Sequence, residues 1–305
     1  VHQFIHNWFG KKDVSKGERL KTELENPDKT RLRDLIQNPL RLTLLCSSWQ
    51  SNEANLPDTK AELYAQFVRQ FYKWKSNHFP VNTRQQQELN QALGRLAIKD
   101  IDGSSSRFRL RESFISEELG YPDEENSLFY LALKLGWLNC VGIAAESSSR
   151  EKVYAFFHPT FQEYFAACAV DDWDFFLPRD HVDKPVEGKE YRIFEPKWKE
   201  VILLWLGREN IVKEKKEAFI NALVNFKDGC SFFYDYQTYF LAVSGVAEFQ
   251  KYLLTERVIN IATYIYCIDT QENQWLENQA KLALIETNRA EAIKKIVDLI
   301  ENCPQ

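Results

Sequence analysis

The 305-residue sequence has no methionine, no C-x-x-C pair, no glycine-rich phosphate loop and no excess of basic charge, and each absence narrows its function. Without an initiator, and starting mid-pattern at "VHQFIHNWFG", the chain is expected to be a piece of a longer polypeptide. Its cysteines (Cys46, Cys140, Cys168, Cys230, Cys267 and Cys303) lie far apart and mostly inside apolar runs, a pattern expected of reduced, buried thiols in a cytosolic protein. None of the 11 glycines falls in a G-x-x-x-x-G-K-[ST] or G-x-G-x-x-G arrangement, so no loop here can cradle a triphosphate unaided. ATP hydrolysis by this chain alone is therefore not expected. "VILLWLG" (201–207) is among the longest apolar runs, far below a membrane span, and no signal peptide opens the chain, so a cytoplasmic protein with no membrane partner is expected.

A formal charge of −5 and a pI of about 5.7 argue against a nonspecific grip on a phosphate backbone. Arg107, Arg109 and Arg111 cluster in "SSSRFRLRE", a spacing better explained as a solvated face than as a nucleic-acid site. What the chain has in quantity is core material. Hydrophobic residues make up 44% and aromatics 14%, enough for large buried contacts in more than one domain.

Residues 1–80 read as helices: "VHQFIHNWF", a stretch through "RLRDLIQNPLRLTLLCSSWQ", and "DTKAELYAQFVRQFYKWK". In the last, Leu63, Phe67, Gln70, Phe71 and Trp74 share one helical face, with Asp58 and Thr59 placed to cap its start. Asn38-Pro39 must interrupt or begin a helix, because the residue before proline is pushed out of the α region. Residues 81–172 change grammar: a long helix from "RQQQELNQALGRLAIKDI", short helices at about 111–119 and 124–135, then strands "WLNCVGIAA" and "KVYAFF" around the turn "ESSSRE". Three helices followed by a β-hairpin describe a winged-helix domain. Residues 173–196, rich in charge and proline, read as a linker. Residues 197–305 read as six amphipathic helices whose pairing interval suits a HEAT-like helical array. The expected fold class is mainly α, with one β-hairpin.

Few residues point to chemistry. His2 and His6 have metal-ligand spacing, but Gln3 stands where a zinc protease has its general base and the nearest cysteine is Cys46, so no metal is expected and both histidines read as packing or interface residues. Glu163 lies five residues beyond His158 but has no nucleophile beside it, and the helix dipole explains it, so no catalytic residue is expected. "FFHPTFQEYFAA" (156–167) places His158 and Pro159 where strand-like alternation gives way to helical spacing. Such a junction can hold an anion, through spare first-turn N–H groups and an imidazole donor, or can be ordinary packing.

"FIHNWF", "NPLRLTLLC", "LPDTKAELYAQFVRQFYKWK", "ALGRLAI", "LGWLN" and "FFHPTFQEYFAA" together resemble, in order, the part of NACHT-family NTPases of the STAND group that follows the nucleotide-binding domain. The resemblance covers residues 1–170 and implies a signalling switch controlled by ATP and ADP, with Mg in the parent protein. It implies that Pro39 packs near the adenine and that His158 hydrogen-bonds the β-phosphate of bound ADP, clamping the winged helix onto an upstream nucleotide-binding domain. It further implies that the array senses a protein or other ligand, that activation brings self-oligomerisation, and that the parent acts in defence or signal transduction. The Walker motifs and sensor arginine of the family are absent from this chain, so the nucleotide's main site lies outside it. Two other functions stay open: a helical-repeat interaction scaffold indifferent to nucleotide, and a DNA-binding regulator using the three arginines.

Overall fold

The structure is a computed structural model that describes residues 1–10, 13–51, 55–103, 108–144, 150–229, 233–249, 255, 258–260, 262–263, 274–287 and 289–301. Arg107, Cys230, Cys267, Cys303, most of the "ESSSRE" turn and most of the helix expected at 256–269 lie outside these residues. The fold is mainly α, with one small three-stranded sheet among the described residues.

The chain forms two compact units, the first Val1–Glu62 with Asp172–Gln305 and the second Leu63–Asp171. This grouping differs from division along the sequence, because the two ends of the chain pack together.

The first unit opens with α1 (His2–Phe9), α2 (Val14–Glu25), α3 (Thr30–Leu35) and α4 (Pro39–Ser51). Helix α2 was not among the stretches singled out by periodicity; its buried face is only Gly17, Leu20 and Leu24. The "RLRDLIQNPL" stretch breaks after Leu35 and restarts at Pro39. The Asn38 side-chain oxygen accepts the backbone N–H groups of Leu40 at 3.0 Å and Arg41 at 3.3 Å, so an Asn cap and a first-position Pro start α4. Helix α5 (Lys60–Lys75) begins with Thr59 accepting the N–H of Glu62 at 3.0 Å, while Glu62 accepts the N–H of Asp58 at 2.7 Å.

The rest of this unit is α10 (Lys199–Gly207), α11 (Lys213–Val224), α12 (Phe233–Val246), α13 (Gln274–Glu286) and α14 (Arg289–Glu301). They pack in succession: α12 contacts α10, α11 and α13, and α13 contacts α14. Every residue from Val201 to Gly207 is buried, as an all-round apolar helix requires when it is a core element. Residues 173–196, expected as a linker, contribute Trp173, Phe176, Leu177 and Ile193 to this core. Phe219 stacks on Trp173 at 5.7 Å and meets Trp205 edge-on at 5.8 Å. Polar contacts join the two ends of the chain: Thr59 donates to the carbonyl of Gly207 at 2.9 Å, and Lys60 pairs with Glu200 at 3.2 Å.

The second unit carries the C-terminal part of α5, then α6 (Thr83–Gly103), β1 (Leu110–Arg111), α7 (Glu112–Leu119), α8 (Leu128–Leu135), β2 (Leu138–Ile143), β3 (Lys152–Phe156) and α9 (Pro159–Ala169). Asn82 and Gln85 cap α6 reciprocally, at 2.9 and 3.1 Å. Strand order is β1-β3-β2, all antiparallel, with Leu138 opposite Phe156 and Leu110 opposite Tyr154. The central strand is the most buried, while edge strand β2 exposes Val141 and Ile143 beside a register shift between Cys140 and Gly142. Helix, strand, two helices and hairpin give the winged-helix arrangement, with α6 lying along α9.

That α6–α9 contact depends on Gly94. A Cβ there would sit 2.6 Å from the Ala169 side chain and 2.7 Å from the Phe165 carbonyl. Alanine improves helix propensity by about 1 kcal/mol, but overpacking costs about 1–3 kcal/mol, so the steric cost prevails. Gly94→Ala is expected to destabilise the second unit by about 1–2 kcal/mol in denaturant unfolding; a stabilised variant would contradict this close approach.

Candidate functional site

His158 occupies the junction its sequence context predicts. β3 ends at Phe156, the Phe157 N–H donates to the Trp137 carbonyl at 2.8 Å, and His158 is the N-cap of α9 with Pro159 at its first position. The ring is held by its own helix: Nδ1 lies 3.3 Å from the Thr160 N–H and 3.0 Å from the Thr160 hydroxyl. Accepting from a backbone N–H requires Nδ1 to be unprotonated, so the proton of the neutral ring sits on Nε2. Burial holds the imidazole below its usual pKa, reinforcing the neutral form. Nε2–H is therefore a neutral donor, and it makes no hydrogen bond among the described residues.

An aromatic cluster fixes the junction that carries this ring. Trp137 is fully buried, 4.3 Å from Phe71, 5.5 Å from Phe161 and 5.1 Å from Phe165 between ring centroids. Trp137 is itself fixed by the end of α8, where left-handed Gly136 (φ 89°) lets the Trp137 N–H reach the Ala132 carbonyl at 2.9 Å. On the far side of α9, Gln162 donates to Asp100 of α6 at 2.6 Å, both residues buried. Phe157, adjoining His158, is 44% exposed and so presents an apolar ring beside the donor.

Pro39 belongs to the other unit, so the two expected nucleotide contacts fall in separate compact bodies. It is exposed at the first position of α4, where an apolar ring stands beside a capped helix terminus.

Other expectations resolve residue by residue. His2 and His6 are exposed, and α1 packs through Ile5 and Phe9 instead. Among the described residues no group of His, Cys, Asp and Glu could hold a metal ion. Cys46 is buried, its thiol pushed up to about 12 by desolvation, but Cys140 is exposed and Cys168 half-buried, contrary to uniform burial. Cys140 lies on the solvent side of an edge strand. Arg109 and Arg111 are exposed. No helix among the described residues is long and apolar enough to cross a membrane.

No protein-family model matches the chain, and no curated protein matches it.

The depressed pKa of His158 has a pH consequence. The unfolded ring takes a proton near pH 6.5 and the folded one only at lower pH, so between the two values the unfolded state binds more protons and folding weakens as pH falls. Denaturant unfolding should show the second unit losing stability below about pH 6.5, with that part of the slope absent in His158→Asn. Because asparagine is a good N-cap, His158→Asn should match the wild type near pH 7.5 within about 0.5 kcal/mol, whereas His158→Ala should lose about 1 kcal/mol. An unaltered pH slope in His158→Asn would remove this account of the ring.

Proposed function

We propose that this chain is the regulatory and sensor portion of a NACHT-type STAND ATPase switch, cytoplasmic, with its chemistry in an upstream nucleotide-binding domain. The observation that supports the reading is the His158 ring, fixed at the α9 N-terminus by Nδ1 with its Nε2–H unused. A neutral donor at a helix N-terminus suits a phosphate oxygen that another domain already holds, because it adds a directed hydrogen bond without burying a new charge. In this reading His158 takes the β-phosphate of ADP and exposed Pro39 borders the adenine. Bound nucleotide supplies the link between the upstream domain and the winged helix.

Such a clamp favours the inactive state only as far as it binds that state better. One hydrogen bond to a charged group is worth about 1.5–3 kcal/mol, within the usual range of coupling energies. A ligand on the helical array would act against it by preferring the open state, after which ATP exchange and self-oligomerisation follow.

The test uses His158→Asn in the polypeptide that carries the nucleotide-binding domain, since this variant keeps the cap while its shorter amide lacks an N–H at the reach of Nε2. ADP retained after gel filtration should fall about tenfold or more, with easier oligomerisation. Unchanged retention and assembly would overturn the clamp and favour a helical scaffold indifferent to nucleotide.

A further inference from the structure

Within the first unit, α3, α5, α10 and the ends of α12 and α13 enclose a polar cavity of about 300 Å³. Its size is at the small end for ligand sites, and its lining is charged rather than apolar. Arg31, Arg41 and Lys60 face Glu200 and Glu248 across it, with Asp34 and Glu286 at its margin.

Most of these charges are already matched. Lys60 Nζ meets Glu200 at 3.2 Å, Arg41 meets Glu200 at 3.4 Å, and Glu286 is taken by Lys199 at 2.7 Å. Glu248, 4% exposed, accepts through Oε2 from the Lys60 backbone N–H at 3.0 Å, and the same oxygen is ion-paired with Arg31 Nη2 at 3.2 Å. Three polar atoms are left over. Arg31 Nη1 is buried without a partner, as is the hydroxyl of Thr287, a lining residue only 6% exposed. Glu248 Oε1 makes no hydrogen bond among the described residues, Lys60 Nζ standing 4.0 Å away.

Buried polar groups are almost always partnered, so two donors and one acceptor left open around one cavity describe what is missing. An acid group would satisfy the guanidinium and the hydroxyl, and a cationic donor would satisfy the carboxylate. A phosphate dianion fits less well, because it would face Asp34, Glu200 and Glu248 while Arg31, Arg41 and Lys60 already serve carboxylates. We propose that this cavity binds a small zwitterion of the α-amino-acid class, its carboxylate held by Arg31 Nη1 and the Thr287 hydroxyl and its ammonium by Glu248 Oε1. Its ligand would tie α3 to the ends of α12 and α13. The site stands on this cavity alone and does not depend on the nucleotide reading.

The purified chain, titrated calorimetrically with each common α-amino acid and with acetate, methylamine and inorganic phosphate, tests the proposal. At least one amino acid should bind saturably where acetate and methylamine at equal concentration do not. Arg31→Gln should weaken that binding about tenfold or more, and Thr287→Val about fivefold. Arg31→Gln also strips a partner from buried Glu248, so its folding is checked separately; Thr287→Val removes a hydroxyl that bonds nothing in the fold and should leave the melting midpoint unchanged. No amino-acid binding, tighter binding of phosphate, or unchanged affinity in Thr287→Val would each overturn the proposal, the first meaning that ordered water alone satisfies these atoms.

Discussion

The second unit depends on where Trp137 is held. Its backbone closes α8 through the Ala132 carbonyl, its carbonyl takes the Phe157 N–H, and its ring fills the space between Phe71 of α5 and Phe161 and Phe165 of α9. One residue thus fixes the end of a helix, the exit of the hairpin and the depth of α9. Removing so large a buried ring would cost about 3–5 kcal/mol, and because all three elements share it they would loosen together. His158 lies one residue beyond the Phe157 anchor, so packing sets where its backbone stands and the Thr160 N–H and hydroxyl set the direction of its ring.

That placement determines what kind of sensor the histidine can be. A solvent-facing imidazole near pH 6.5 would bind anions mainly by charge and would be sensitive to salt. Here burial disfavours the charge and the helix engages Nδ1, leaving a single directed N–H. Recognition by geometry is weaker than a full ion pair, but it is easier to reverse, as a switch requires.

Local signals in the sequence carried far. Asn38-Pro39, Asp58 with Thr59, and the change of period at His158 each located a helix start, because capping is settled within four residues of chain. Winged-helix order was legible for the same reason: alternation and helical spacing are short-range patterns. Failures arise where partners are remote. Helix α2 buries too few apolar residues to show a period, and Cys140 in an apolar run faces solvent because β2 is an edge strand. The proline and charge of 173–196 hide Trp173 and Phe176, whose partner Phe219 lies more than forty residues on. Arg31 and Glu248 meet from opposite ends of the chain, and no window of sequence joins them.

The cost of such remote charge pairing shows what it is for. Taking Glu248 out of water is expensive, and well-packed apolar side chains could fill the same volume at no loss of stability. What the charges add is discrimination: Glu200 must meet both Arg41 and Lys60, and Glu248 both Arg31 and the Lys60 backbone, a condition one arrangement of these helices satisfies. A displacement that separates the two ends of the chain removes Glu248 from Arg31 and the Lys60 N–H together and so strands a buried carboxylate, which opposes that movement. An open acceptor on Glu248 and an open donor on Arg31 leave that balance adjustable by a ligand. Differential affinity for two states needs only contacts that differ between them, and a cavity whose walls come from both ends of the chain would lose contacts if those ends separated.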